Sequence, residues 1–289
     1  MRERSTFRAY VELTKPRIGL MVVVTAAFGY FLAGGGIDQP LLLACTLLGT
    51  VLAGGGSSAL NQYLEREVDG AMDRTRNRPL PTGQISPQSA LLFGVALVLA
   101  GCFLLLWQVN LLTAFLALQS SFLYVLVYTP MKRLSWINTT IGAIPGAMPP
   151  LGGWAAATGG LDVGAWALFA VLFIWQHPHF FAIAWMFRDD YRRGGFQMLS
   201  VVDPSGARLF RQTLVFSVVL VPVSLAPALL GSTHGLYAVG AAALGVMMLY
   251  ASIAFVRQRD FGSARQLMRA SLIYLPALLL LIVADTIVF

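Results

Sequence analysis

The chain has 289 residues, 57% of them hydrophobic and 11% charged, with a formal net charge of +7. Soluble domains carry about 25% charged residues, so a water-soluble enzyme is excluded, and with it a basic nucleic-acid-binding domain. Repeated uncharged runs of about twenty residues, long enough to cross a bilayer, define instead an all-α polytopic membrane protein with a single domain over residues 1–289.

Nine spans are predicted, at about 18–34, 41–60, 90–107, 111–129, 137–157, 164–187, 212–230, 236–256 and 270–288. The polar, basic segment 1–17 reads as a cytoplasmic tail and not as a cleavable signal peptide, because the first span has no clear small-residue cleavage site. Cys45 and Cys102 fall inside spans and imply small buried apolar residues, with no disulfide framework. The fifth span contains Pro145, Pro149 and Pro150 and is expected to be kinked or broken. Lysine and arginine occur in the tail, at 66–78, 132–133, 188–211 and 257–269, and nine spans put all of these on one side. The other side has Asp38, Asp162, His234 and Asp285. The positive-inside rule then gives a cytoplasmic N-terminus and an outer C-terminus. The net charge reports this topology and contact with anionic lipid.

The second span continues into "NQYLEREVDGAMDRTRNRPLPTG", Asn61 to Gly83. Asn61, Glu65, Asp69 and Asp73 recur every four residues, a spacing that keeps side chains on one slowly drifting helix face. On an ideal helix Asn61 to Asp69 covers about 12 Å and Asp73 lies about 18 Å from Asn61. Three positions therefore fit one elongated site, and Asp73 joins only if the helix breaks, for example at Gly70. Like-signed acids near a helix C-terminus repel one another and oppose the macrodipole. A hard divalent cation offsets both costs, and Mg²⁺ commonly bridges carboxylates to phosphate. Arg74, Arg76 and Arg78 follow at once and suit phosphate oxygens. The alternative is a solvated loop whose acids pair with its own arginines.

The sixth span ends similarly, in "WQHPHFFAIAWMFRDDYRRGG", Trp175 to Gly195, with Asp189 and Asp190 followed by Arg192 and Arg193. Spans two and six occupy corresponding places in two four-span halves, so two acidic helix ends are expected to face each other across a cavity. Asn138, opening the fifth span, is a polar cavity residue or a helix cap.

These stretches resemble the UbiA superfamily of intramembrane prenyltransferases, and within it the protohaem IX farnesyltransferase (haem O synthase) branch. The resemblance extends over nearly the whole chain. It rests on "ELTKPRIGLMV" (Glu12 to Val22), Asn61 to Asp73, "RTRNRPLPTG" (Arg74 to Gly83), "YTPMKRLSWINTTIGAIPGAMPPLGGW" (Tyr128 to Trp154), "WQHPHF" (Trp175 to Phe180) and "DDYRRGGFQMLSVV" (Asp189 to Val202). The sequence departs from the superfamily where a second motif would place aspartates four apart: Gly194 follows Asp190 by four and Met186 precedes it by four. Within the branch, Gly194-Gly195, Gln197 to Ser200 and His177 also differ from the usual pattern.

The resemblance implies nine helices around a central cavity in a bacterial inner membrane, Mg²⁺, and transfer of a farnesyl group from farnesyl diphosphate to a vinyl group of haem b, giving haem o. It implies that Asn61, Glu65, Asp69 and Asp190 carry the catalysis. Asp73 and Asp189 join these four as metal residues acting through the Mg²⁺–diphosphate. Arg74, Arg78, Lys132 and Arg133 are expected at the diphosphate or a haem propionate, against ordinary positive-inside placement. His179, His177 and Tyr191 are the expected haem contacts, histidine being the usual proximal haem ligand. A helix–helix hydrogen bond is the other role for either histidine, and an interfacial anchor the other role for the tyrosine. Membrane lipid, haem-handling proteins and terminal-oxidase assembly proteins are the further partners implied. The rival readings are a prenyltransferase acting on a quinone precursor or a chlorophyll-type acceptor, and a transporter with discontinuous helices at the bilayer midplane.

Overall fold

Apolar runs in lipid fold as helices because the bilayer offers no partner for a free N–H or C=O. The computed structural model describes residues 6–288, and among these there is no β-strand. Helices α1 (Thr6–Leu13) and α2 (Pro16–Leu32) form a pair bent by 45°. They are followed by α3 (Pro40–Ala71), α4 (Pro87–Gln108) and α5 (Leu111–Phe122). A π-helical segment, Leu123–Tyr128, joins α5 to α6 (Thr129–Leu134) within one span. Next come α7 (Asn138–Gly146), α8 (Met148–Thr158), α9 (Val163–Met186), α10 (Arg188–Arg193) and α11 (Leu199–Val202). The chain continues through α12 (Ala207–Ser224), α13 (Ala226–Leu229), α14 (Gly235–Gln258) and α15 (Phe261–Val288). Residues 1–5 of the basic tail lie outside the described residues.

Among the described residues, seven helices are long and apolar enough to cross a membrane, eight with the bent α1–α2 pair. The sequence-based count of nine differs by its fifth span. That span is broken as expected: α7 and α8, of 9 and 11 residues, meet at Ala147. Each alone is shorter than a bilayer crossing requires, and the two in series make the passage, from Asn138 beside the Gln197 carbonyl to Ala155 beside Asn110.

Two features of the packing position the charged stretch. The first is the length of α3. Its 32 residues extend about 48 Å, well beyond a hydrocarbon core of about 30 Å. Its last turns therefore reach the membrane edge with Asn61, Glu65 and Asp69 still helical. The helix ends where Met72 turns extended, one residue past Ala71, so Gly70 is not the break point. The second is close backbone approach. A Cβ on Gly56 would sit 2.6 Å from the Gly94 carbonyl oxygen of α4, and one on Gly101 of α4 would sit 2.6 Å from the Gly49 carbonyl oxygen. A Cβ on Gly153 of α8 would meet the Ala26 carbonyl of α2, and one on Gly29 would meet Pro150. Small residues at crossings of this kind let membrane helices pack backbone to backbone.

Replacing Gly56 with valine is expected to separate α3 from α4 and lower the thermal stability of the purified protein in detergent. Gly70→Ala, where no atom lies within 4 Å of the added carbon, is expected to leave stability unchanged or raise it by about 0.4–1 kcal/mol. Equal melting temperatures for the two variants would contradict the packing role of Gly56.

Candidate active site

The C-terminal half of α3 presents Asn61, Glu65 and Asp69 along one face, all buried. Buried charge is tolerated only when paired and hydrogen-bonded, and each of these side chains meets a cation from a different element. Asn61 Oδ1 accepts from Lys15 Nζ at 2.9 Å, and its Nδ2 donates to Thr129 Oγ1 at 3.0 Å. Glu65 pairs with Lys132 of α6 at 2.7 Å. Asp69 Oδ2 pairs with Arg78 at 2.6 Å.

Local folding explains each partner. After Met72 the chain turns back, and Thr75 Oγ1 donates to the Asp69 carbonyl at 2.8 Å, so that Arg78 returns to the helix it has just left. In the π segment the Thr129 N–H reaches back to the Tyr124 carbonyl, five residues away. Such bulges recur at functional sites. Here it precedes α6, whose Thr129 and Lys132 meet Asn61 and Glu65. The Lys132 ammonium also lies 4.7 Å from the Tyr128 ring centroid and 5.7 Å from that of Phe196. The Tyr128 ring fits because position 142 is glycine: a Cβ there would lie 2.5 Å from it.

The two acidic stretches meet in direct contact, where the sequence-based expectation is a cavity between them. Asp190 accepts from the backbone N–H groups of Asp73 and Arg74, each at 3.3 Å, and pairs with Arg193. Arg193 also reaches Asp73 at 2.5 Å, and Arg74 donates to the Tyr191 hydroxyl at 3.2 Å. The Arg74 guanidinium lies 5.1 Å from the Phe187 ring centroid. Asp190 thus anchors the loop after α3, and Tyr191 holds Arg74.

Several expected site residues are placed elsewhere. Asp189 points outward and pairs with Arg192, both more than half exposed, because a six-residue helix holds neighbouring acids on different faces. Asp73 is likewise exposed, at 62%, and bonded to Arg76 and Arg193, since the extended Met72 carries it off the α3 face. Arg133, next to Lys132 on α6, is exposed. Asn138 does not line the site; its Nδ2 ties the Ser135 and Gln197 carbonyls together.

The histidines separate by tautomer. His177 is fully buried, stacked on Phe216 at 3.7 Å. Its Nδ1 lies 2.7 Å from the Phe173 carbonyl, which can only accept, so Nδ1 carries the proton, and Nε2 takes the Thr140 hydroxyl at 3.3 Å. Both ring nitrogens are occupied, which removes His177 from the expected haem contacts. His179 is half-buried, with Nδ1 2.7 Å from Ser271 Oγ. Ser271 lies 2.6 Å from the Met268 carbonyl, to which it gives its proton. The remaining arrangement has Nδ1–H of His179 donating to Ser271, which leaves Nε2 as a lone pair.

Sequence reasoning missed Lys15. It reads as an ordinary basic residue at the start of a span, but the structure puts it in the left-handed region (φ 50°, ψ 63°) immediately before Pro16, with its ammonium on Asn61. The proline that follows gave no signal for this, since it favours extended backbone in the residue before it.

The described residues contain no group of three or more histidine, cysteine or acidic side chains arranged to hold a metal. One atom nevertheless suits a hard cation: Asp69 Oδ1 is buried and has no hydrogen-bond partner. An orphaned buried acceptor costs about 1–3 kcal/mol. With the oxygens of Asn61 and Glu65 it lies along about 12 Å of one helix face, too spread for a single all-protein cage and suited to Mg²⁺ held largely by diphosphate oxygens.

A helical integral membrane protein with oxygen donors and cations paired at one membrane edge is thus the class defined by fold and site. The sequence matches the UbiA prenyltransferase family over residues 22–275, and the chain belongs to that family. It is 47% identical over 291 residues to the protoheme IX farnesyltransferase of Solibacter usitatus, covering 96% of this chain and 98% of the relative. It is 42% identical over 270 residues to the human mitochondrial protoheme IX farnesyltransferase, covering 93% of this chain and 60% of that one. A solved structure described as digeranylgeranylglyceryl phosphate synthase shares the fold, with a TM-score of 0.81 at 18% identity over 98% of this chain and 99% of that one. A UbiA homologue from Archaeoglobus fulgidus, solved bound to DMAPP and Mg²⁺, has a TM-score of 0.66 at 15% identity over 95% and 99% of the two chains.

Proposed function

We propose that the protein transfers the farnesyl group of farnesyl diphosphate to a vinyl group of haem b, with addition of water, giving haem o and diphosphate. The observation that carries the reaction class is the buried face of α3, where three oxygen-bearing side chains meet three cations and Asp69 Oδ1 is left over. The acceptor is supported by relatives that bear the name protoheme IX farnesyltransferase at 47% and 42% identity.

The chemistry asks for charge stabilisation and for dryness. The allylic C–O bond breaks as the terminal vinyl carbon forms its bond to the farnesyl C1. The cation left on the vinyl carbon next to the ring takes water and releases a proton. Mg²⁺, when bound, offsets the negative charge developing on the leaving diphosphate. Asp69 through Oδ1, with Asn61 and Glu65, would hold it. Lys15, Arg78 and Lys132 present positive charge to the same oxygens, and Arg74 is held close by through Tyr191. Burial excludes water from the allylic cation and strengthens each of these interactions. Asp190 acts by holding the loop that carries Arg74 and Arg78.

The open Nε2 of His179 suits a haem iron, and the ring is fixed by Ser271 and lies 5.3 Å from the Trp175 ring. An orientation with both termini as the positive-inside rule assigns them, in a bacterial inner membrane, puts the diphosphate site at the cytoplasmic edge, where a soluble diphosphate can leave.

Purified protein incubated with haem b, farnesyl diphosphate and Mg²⁺ is expected to yield haem o by mass spectrometry. Product only with a quinone precursor would overturn the choice of acceptor. Asp69→Asn is expected to slow transfer by about 10²–10³-fold while the protein stays folded and inserted; wild-type turnover at saturating Mg²⁺ would remove Asp69 from the site.

For the haem half, His179→Ala should shift the haem absorption spectrum and weaken haem binding without changing affinity for a non-hydrolysable farnesyl diphosphate analogue. His177→Ala should leave the spectrum unchanged and lower thermal stability instead. An unaltered spectrum in His179→Ala would refute iron ligation.

Orientation is checked in a cysteine-free variant by introducing single cysteines at the exposed positions Asp38 and Arg76. A membrane-impermeant thiol reagent is expected to reach the first only from outside and the second only from within. Labelling of both from one side would refute the topology.

A further inference from the structure

The three cations at the site do not stand apart from the three oxygen donors. They pair with them one to one: Lys15 with Asn61, Lys132 with Glu65, Arg78 with Asp69. These are the groups that a diphosphate and a metal would each require, already engaged with one another. Lys15 lies within electrostatic reach of Arg78, Lys132 and Glu65, so the pairs form one cluster. With both acids ionised, the five charged members leave one positive charge in excess. A free divalent cation is repelled by that excess and finds most acceptor oxygens taken.

We propose that these pairs form an exchange latch, in which the lysines and arginine leave their partners for the diphosphate as the freed oxygens take the metal. Metal and diphosphate then bind as a unit, and either alone binds poorly. The proposal rests on the prenyl-diphosphate reading of the site and assigns Lys15 a diphosphate-binding role within it.

Two observations carry this beyond a static network. Asp69 keeps one carboxylate oxygen buried and unpartnered, so the network is one ligand short. Lys15 is held at positive φ before a proline. Residues in this region are strained and persist where their surroundings hold them. The backbone here is fixed by bonds to Glu12, Ile18 and Gly19, which aim the side chain at Asn61, a contact that an incoming anion can replace. Breaking a buried pair is expensive when one partner is left bare. Simultaneous exchange avoids that state, because every group gains a new partner as it loses the old.

The test is binding and does not need turnover. Mn²⁺ binding to the purified full-length protein is measured by electron paramagnetic resonance, with and without S-farnesyl thiodiphosphate. The wild type is expected to hold Mn²⁺ weakly alone and tightly with the analogue. Lys15→Gln and Lys132→Gln, each removing one cation, should bind Mn²⁺ alone roughly tenfold more tightly, while their affinity for the analogue falls. Arg66→Gln, which removes a cation of the same helix that pairs with Glu67, should change neither. If the wild type gains no Mn²⁺ affinity from the analogue, the prenyl-diphosphate reading itself fails, and the latch with it. If it does gain affinity, but both lysine variants bind Mn²⁺ alone no better than wild type, the reading stands and the latch is overturned. A gain in Arg66→Gln equal to theirs would reduce the effect to bulk charge and equally overturn it.

Discussion

A charge taken out of water must meet an opposite charge or a hydrogen-bond partner. In this protein that requirement falls on three side chains of one helix, Asn61, Glu65 and Asp69, and the surrounding architecture supplies their partners. The bend between α1 and α2 brings Lys15. The return of the chain after Met72 brings Arg78. The π segment before α6 brings Lys132. None of these elements would have to take its particular form if the face of α3 were apolar.

The demand for close partners in turn requires a rigid frame. An ammonium group 2.7 Å from a carboxylate tolerates little drift in the helices that carry the two. The glycine contacts between α3 and α4, and between α2 and α8, bring backbones within van der Waals distance and leave no flexible side chain between them. Asp190 performs a related task at the membrane edge. Its carboxylate receives two backbone N–H groups from the loop after α3, joining the two halves of the chain where the charged stretches meet.

The four-residue spacing of Asn61, Glu65 and Asp69 made their shared face legible in the sequence, because a helix of constant pitch needs no tertiary information to place them. The break in the fifth span was legible too, from its prolines. The partners were not. Lys132 and Glu65 are 67 residues apart, and which cation meets which acid depends on the relative rotation of two helices that no local pattern encodes. Asp73 belongs to the same four-residue series but leaves the face, because the helix stops at Ala71 and not at the glycine before it. His177 departs from the usual pattern of the branch, but the reason it is unavailable lies in the fold: carbonyl and hydroxyl groups on neighbouring turns and helices decide which ring nitrogen is left open. Lys15 was hidden most completely, since its backbone conformation is unusual for lysine and its charge is what the positive-inside rule already expects there.

The π segment has a consequence for how this span can vary. Each turn closed by an i to i+5 bond contains one residue more than an α-turn, and one residue corresponds to about 100° of rotation. Leu111–Leu134 is therefore a span of two phases, with the part before the π segment facing according to one register and the part after it according to another. Chain length between Leu123 and Tyr128, and not composition alone, sets the direction in which Lys132 points. Two chains alike at every residue of α3 and α6 but differing by one residue in that segment would present different side chains to Glu65. A single-residue deletion there would act at a distance, as a change of charge pairing, without altering any charged residue.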